Sequence, residues 1–449
     1  MLVDQLAAAD RAVPRYTSYP TAPHFGSAID AATYASWLER LRPSDALSLY
    51  LHVPFCERLC LYCGCNTKAT KRPEPIESYA EALTAEIDLV AARTGCRRIA
   101  HLHWGGGTPS ILGADRLREL VALLDVRFEL ASLREHAFEL DPRHVTKALV
   151  GALVDIGVTR ASLGVQDFSA HVQQAIGRIQ PFETVERAVA MLRDAGIERI
   201  NIDLMYGLPG QSLQDVERSV RLADRLQPQR FAIFGYAHVP WFKPHQKRLD
   251  QTLLPGSAER IAQARAAHET LQALGYASIG LDHYAKDGDS LAAASRGGRL
   301  RRNFQGYTTD DADALVGLGT SAIGQLPQGF VQNASDTGGY ARAILSGRLA
   351  TVRGIELSGD DRIRARIISD LMCHLTCDVD RAAQVDLDCG PMAFETEFDQ
   401  LRPFVAAGLV RIDGRRVTVE EAGRPYLRLV AAAFDSYLAQ SHARHSVAV

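Results

Sequence analysis

Four of the chain's eight cysteines, Cys56, Cys60, Cys63 and Cys65, crowd into "YLHVPFCERLCLYCGCNTKAT". Thiols at this density can hold a metal, form a redox pair or close a disulfide. The spacing is C-x3-C-x2-C, with the fourth cysteine one residue further on. Structural zinc sites pair two knuckles across a longer loop, and no second knuckle of that form follows. Cys60 and Cys63 have the spacing of a dithiol–disulfide motif, which leaves Cys56 without a role. Three thiolates on a tight loop suit a [4Fe–4S] cluster whose fourth iron is open to an external ligand. Cys65 is the candidate fourth ligand, but a single intervening residue makes joint ligation with Cys63 awkward. The reading is three ligands with Cys65 outside. Cys373 and Cys377 repeat the x3 spacing on an apparent helix and read as packing.

The elements that must position this loop alternate in type. β-rich runs "ALSLYLHV", "RIAHLHWGG", "EHAFELD", "RASLGVQDF", "RINIDLMYGLP" and "RFAIFGYAHVP" are each followed by a helical stretch. These stretches cover 76–93, 114–124, 145–155, 182–195, 213–226 and 258–274. In the fourth, Phe182, Val185, Val189 and Leu192 form one apolar stripe. Apolar strands alternating with helices predict a parallel sheet, either a barrel or a doubly wound open sheet. Functional residues then belong at the C-terminal strand ends. "YASIGLDHYA" adds one more strand-like run. Pro14, Pro20 and Pro23 punctuate an N-terminal segment with little periodicity. After about residue 350 the alternation stops. A helix over 361–375, a hairpin turning at Asp413-Gly414 and a last helix over 424–440 are expected there.

With 449 residues, 47% hydrophobic and 23% charged, the composition is that of an ordinary globular chain. A formal net charge of -3 gives no general reason to expect nucleic acid as a partner. No apolar run approaches membrane-span length, and Asp4 and Asp10 interrupt any signal-peptide pattern. The expectation is a cytoplasmic protein. In a reducing compartment, clustered cysteines point to metal or redox chemistry rather than a staple.

C-x3-C-x2-C with Tyr62 before the last cysteine resembles the signature of the radical S-adenosylmethionine enzymes. "HWGGGTPS" is similar to that superfamily's glycine-rich element and lacks the Gly-Lys-Ser/Thr ending of a Walker loop. "PRYTSYPTAPHF", "CGCN", "LDHYA", "RRNFQGYTT" and "GLGTSAI" together resemble the oxygen-independent coproporphyrinogen III oxidases, over nearly the whole chain. Related heme chaperones share the three cysteines but generally lack this N-terminal arm and the extra cysteine.

The resemblance implies an α/β fold, a partial (β/α)6 radical-SAM barrel over 36–350. An N-terminal arm (1–35) and a small C-terminal helical domain with a β-wing (351–449) flank it. It implies anaerobic oxidative decarboxylation of coproporphyrinogen III to protoporphyrinogen IX, two propionates becoming vinyls. The agent is a 5′-deoxyadenosyl radical made from S-adenosylmethionine at a [4Fe–4S] cluster. A heme chaperone or another tetrapyrrole-processing relative without decarboxylase activity is the alternative. Cys56, Cys60 and Cys63 are the implied cluster ligands. Tyr50, Tyr62, Gly106, Gly107, Thr108, Glu139, Gln166, Arg178 and Asp203 are implied contacts of S-adenosylmethionine. Ala237 and Ile323 complete the set, for two cofactor molecules. Cys65, Arg15 and Tyr16 are expected on the substrate side, and arginines between Arg296 and Arg302 are weaker candidates for the propionates. His52, His101, His103 and Trp104 read as structural. The implied partners are coproporphyrinogen III and an electron donor such as a flavodoxin or ferredoxin, with no nucleic acid and no membrane insertion, in a monomer.

Overall fold

In a computed structural model, which describes residues 11–384 and 394–438, the six apolar runs become six parallel strands. They are β1 Leu47–Val53, β2 Ile99–Gly106, β3 Glu135–Leu140, β4 Arg160–Gln166, β5 Arg199–Tyr206 and β6 Arg230–Gly235. They pair in sequence order. Helices α1 Pro73–Ala91, α2 Ala114–Arg127, α3 Lys147–Asp155, α4 Phe182–Asp194, α5 Leu213–Asp224 and α6 Ser257–Ala273 follow them in turn. Parallel crossovers are right-handed, so unreversed strand order keeps every helix on one face. A sheet wound in this single direction curls as a barrel does and has no doubly wound switch point. That decides the alternative the sequence left open.

The apolar runs are near-continuous because both faces are covered: six of the seven β1 residues are buried. Trp104 and Phe138 pack inside with their rings tilted, centroids 5.8 Å apart. α4 turns Val185, Ala188, Val189 and Leu192 inward, which is the expected stripe with Phe182 half-buried at its start.

The sheet is larger than the six-unit reading. It has 12 strands, with β7 Ala277–Ile279, β8 His283–Ala285, β9 Ala314–Leu318, β10 Ile323–Leu326, β11 Gly329–Asn333 and β12 Thr351–Glu356. β9 lies parallel beside β1, while β10 to β12 extend that edge as an antiparallel meander. These strands are short and broken by Gly317, Gly319, Gly324 and Gly329, so they carry little periodicity. β12 continues the sheet past residue 350. The edges β12 and β7 do not pair, and the barrel stays partial.

The described part of the arm is anchored at two places. Val13, Tyr16 and Tyr19 pack into the C-terminal core, and Gly26 bridges Gly354 of β12. In the C-terminal region, a helix Gly359–His374 opens with a capping box between Ser358 and Asp361. A three-stranded sheet of Thr376–Asp378, Arg416–Val419 and Val410–Asp413 forms the wing, with Gly414 at φ 59 in its turn. The last helix is shorter than expected. Pro425 lies in a 3-10 turn, Glu421–Tyr426, and the α-helix spans only Leu427–Ala432, while residues 439–440 of the expectation lie outside the described residues. Cys373 and Cys377 are buried in apolar clusters.

Glu86 of α1 ties the helix layer to the meander. Its carboxyl accepts from Gly319 N (2.6 Å), Asn333 Nδ2 (2.7 Å) and Tyr340 Oη (2.7 Å). Burial pushes its pKa up to about 7 against those three donors. The folded state therefore holds the proton more tightly than the unfolded chain does. Glu86's contribution is full below about pH 4.5 and is lost as pH rises through about 7. The melting temperature of wild type minus that of Glu86→Gln should accordingly fall between about pH 5 and about pH 8; a difference flat with pH would contradict this.

Candidate active site

β1 delivers the cysteine loop directly. A short pairing of Phe55–Cys56 with Lys68–Ala69 closes the loop on itself. The glycine loop after β2 is knitted to it: Gly107 N donates to Val53 O (2.7 Å) and Thr108 N to Phe55 O (2.8 Å). A Cβ on Gly107 would lie 2.5 Å from the Phe55 carbonyl oxygen, so only glycine fits. The hydroxyl of Thr108 donates to Cys56 Sγ (3.4 Å), and Thr67 Oγ1 lies 3.3 Å from the same sulfur.

Cys60 is buried and faces two cations. Arg178 Nη1 donates to its sulfur at 3.5 Å, and Arg143 Nη2 lies 3.9 Å away. Asp141 holds both guanidiniums, at 3.1 Å from Arg178 and 2.6 Å from Arg143. Burial opposes its charge, but the Arg143 hydrogen bonds and Arg178 hold its pKa down at about 2. Around Cys63 and Cys65 the segment after β6 reaches over: His245 Nε2 lies 2.8 Å from Cys63 O, Lys243 Nζ donates to Cys65 O (2.8 Å) and Gln246 Nε2 to Tyr62 O (2.9 Å). A hydrogen bond from the Cys65 thiol pulls the Cys63 pKa down to about 7, and the same contact drives Cys65 well up. Cys56 is raised by burial, with Cys63 and Cys60 adding their charge.

A row of polar groups borders the loop at the strand ends. Glu139 Oε1 lies 3.2 Å from His103 Nε2, and Glu139 Oε2 accepts from Gly106 N (3.3 Å). A Cβ on Gly105 would lie 2.7 Å from that carboxylate, and one on Gly106 2.6 Å from the His52 ring. Tyr50 Oη shares a hydrogen bond with His52 Nδ1 (3.1 Å). Asp203 accepts from Asn201 Nδ2 (2.7 Å) and Ser162 Oγ (3.2 Å). Burial first, then the nearby Glu139, raises its pKa to about 7. Gln166 closes β4 at φ 73, where the β4–β5 register shifts. Arg178 Nη2 donates to Gly164 O of that strand (2.5 Å), and its Nε is buried without a partner.

The remaining expected residues divide. Ala237 follows β6, its carbonyl accepting from Gln246 (3.3 Å), and Ile323 opens β10. Arg15 reaches the strand ends, donating to Gly235 O (2.8 Å). Tyr16 does not. It is buried in the C-terminal core and donates to Asp435 (2.9 Å), because the chain reverses at its φ of 49 and sends the ring away from the rim. His52 and His103, read as structural, touch Tyr50 and Glu139. Asp141, Arg143, Thr67, Lys243, His245 and Gln246 were not singled out. Asp141 ends "FELD" two residues after Glu139 and was within reach of the strand-end argument; the others had no local signal.

The model of the Radical SAM superfamily matches residues 50–223, which span the cysteine loop through α5. An oxygen-independent coproporphyrinogen III oxidase of Bradyrhizobium diazoefficiens is 48% identical over 439 residues, covering 97% of each chain. One of Pseudomonas aeruginosa is 38% identical over 96% of this chain and 94% of its own. The chain belongs to the oxygen-independent coproporphyrinogen III oxidases. The solved coproporphyrinogen III oxidase from Escherichia coli, described as a radical SAM enzyme, superposes with a TM-score of 0.88 at 34% identity. It covers 95% of this chain and 100% of its own.

Membership of this family carries a [4Fe–4S] cluster and S-adenosylmethionine, and the residues fit both. The thiols of Cys56, Cys60 and Cys63 lie close enough to feel one another's charge. Three thiols on one loop suit the corners of a multi-iron cluster. The glycines and the carboxylate row leave room and acceptors for a cationic, hydroxyl-bearing molecule beside it. Gly107→Ala should cut iron incorporation by about half or more and cost about 1–3 kcal/mol of stability. Iron per chain after anaerobic reconstitution, with a thermal melt, measures both; wild-type values would show that the loop can yield.

Proposed function

We propose that this chain oxidatively decarboxylates coproporphyrinogen III to protoporphyrinogen IX without oxygen. The observation that carries the reading is the convergence of three thiols with Glu139 and Asp203 on one barrel rim, beside a cavity of about 880 Å³. A cluster and S-adenosylmethionine bound there would supply radical chemistry able to take hydrogen from a propionate side chain. The chain's own part is binding, orientation and exclusion of water.

Cys56, Cys60 and Cys63 would hold the cluster, with Thr108 donating to the first sulfur, Thr67 Oγ1 3.3 Å from it, and Arg178 donating to the second. Tyr50, Tyr62, Gly106, Gly107 and Thr108 wall the cofactor. Glu139 accepts from its amino group, and Asp203 and Gln166 face its ribose hydroxyls. Arg178 offers its buried, partnerless Nε to the cofactor's carboxylate. Ala237 and Ile323 bound the space for a second cofactor molecule. Cys65 stays outside the cluster, its thiol kept protonated by the hydrogen bond and charge of Cys63. The reaction consumes single electrons, so a low-potential donor such as a flavodoxin or ferredoxin serves it. A monomer working in the cytoplasm, where thiols stay reduced, completes the reading.

Incubating reconstituted protein anaerobically with coproporphyrinogen III, S-adenosylmethionine and a reductant should yield divinyl product. Cleavage of S-adenosylmethionine with no vinyl product would overturn the proposal and favour a heme chaperone or another tetrapyrrole-processing relative. Cys65→Ser should keep the cluster's paramagnetic resonance spectrum while turnover falls by at least about tenfold, a barrier rise of about 1.4 kcal/mol. A lost spectrum would make Cys65 a ligand.

A further inference from the structure

Resting on that functional reading, we propose that Tyr79 of α1 is a positioning residue for S-adenosylmethionine. Its hydroxyl fixes the end of β1, and with it Tyr50, against the turn that leads to Ile323.

α1 packs on the sheet with a mostly apolar face, yet two of its buried residues, Tyr79 and Glu86, are polar. They stand about two turns apart on that face. Packing alone gives no reason to bury a phenol hydroxyl and a carboxyl, since each must find partners away from water. Both find them in the turn 319–322, between β9 and β10. Tyr79 Oη accepts from Thr320 N (3.2 Å) and donates to the carbonyl of His52 at the end of β1. Thr320 is fully buried, so water does not stand in for that bond. Glu86 accepts from Gly319 N (2.6 Å), and Asn333 Nδ2, itself bonded to Glu86, also donates to Gly319 O (2.9 Å). A buried polar network with its members satisfied fixes one geometry, which apolar contact does not.

The approach requires glycine at two places. Gly319 sits at φ +98, and a Cβ there would run into the Tyr79 hydroxyl and the His52 carbonyl. Gly317 pairs with Tyr50 across β1 and β9, and a Cβ on it would lie 2.6 Å from Ile323 O. Tyr50, Gly317 and Ile323 are thus neighbours across β1, β9 and β10, and the Tyr79 hydroxyl closes the end of that row. His52 carries the effect further. Its Nδ1 shares a hydrogen bond with Tyr50 Oη (3.1 Å), and its Nε2 lies 3.0 Å from Asn66 O of the cysteine loop. The Tyr79 ring meets Phe55, the residue before Cys56, edge-on at 5.5 Å between centroids. Burial, with Glu86 nearby, pushes the Tyr79 pKa up and keeps its hydroxyl a donor toward His52. One hydroxyl therefore joins the tyrosine that walls the cofactor to the strand whose Ile323 bounds the space beside it.

The test uses full-length, iron-loaded Tyr79→Phe, which keeps the ring and loses only the hydroxyl. S-adenosylmethionine is titrated while the cluster's paramagnetic resonance spectrum is followed, and KM is measured for it and for coproporphyrinogen III. The half-saturating concentration of S-adenosylmethionine and its KM should rise about 3- to 10-fold, the worth of one hydrogen bond. KM for coproporphyrinogen III and iron per chain should stay near wild type. Tyr340→Phe, in the helix Thr337–Leu345, removes another partner of Glu86 and no bond to His52. It is the structural control, with a lower melting temperature and an unchanged S-adenosylmethionine titration expected. An unchanged titration in Tyr79→Phe would overturn the assignment, as would an equal shift in Tyr340→Phe. If Tyr79→Phe loads no iron, Gly319→Ala breaks the same contact from the turn and should show the same rise; no rise would overturn the assignment. Iron loss in both would place the contact in the cluster's own support and overturn it too. Wild type that responds to S-adenosylmethionine yet forms no vinyl product would instead overturn the functional reading, a separate outcome.

Discussion

Two backbone hydrogen bonds, Gly107 N to Val53 O and Thr108 N to Phe55 O, join the cysteine loop to the glycine loop. They bring the ends of β1 and β2 into one surface, and everything at the rim is referenced to that surface. Through them the hydroxyl of Thr108 reaches Cys56, and the missing Cβ atoms of Gly105 and Gly106 admit Glu139 and His52. The contact needs strands adjacent in space and parallel, with both ends pointing the same way. Unreversed strand order from β1 to β6 meets that condition for every strand and gathers six C-terminal ends on one side.

The electrostatics at the rim follow a division of labour. Cations stand behind the cysteines: Arg178 and Arg143 at Cys60, and Lys243 on the Cys65 carbonyl. These favour a loop that must carry several thiolates. Carboxylates stand on the opposite side, Glu139 and Asp203, one raising the other through burial and proximity. Past them lies a cavity lined by residues of β5, β6, α6 and the C-terminal region.

Much of the fold was legible because its signals are local. The six βα units announce themselves by period, and the parallel strands by unbroken apolarity. The Gly-rich meander of β9 to β12 lacked either signal, since short antiparallel strands with every few residues a glycine read as turns. The last helix was overdrawn at both ends, since Glu421–Tyr426 forms a 3-10 turn and the α-helix closes at Ala432. At the site, Cys56, Cys60 and Cys63 were legible for the same reason of locality: three thiols in one loop need no tertiary information. Glu139, Gln166 and Asp203 were legible as polar residues closing consecutive strands, and Arg178 by resemblance alone.

The sequence by itself determined the cluster-type cysteine spacing, the alternation that builds a parallel sheet, and the family resemblance. Tertiary structure alone decided which neighbours tune those groups. His103 meets Glu139 across 36 residues, Arg178 meets Cys60 across 118, and Lys243 meets Cys65 across 178. Arg15 and Tyr16 are adjacent in the chain, yet one enters the cavity and the other a core, because a single backbone reversal separates them. The reason is physical: spacing along a chain specifies contacts only within an element or a tight loop. Contacts between elements depend on strand register, crossover handedness and the missing Cβ atoms that let distant side chains approach.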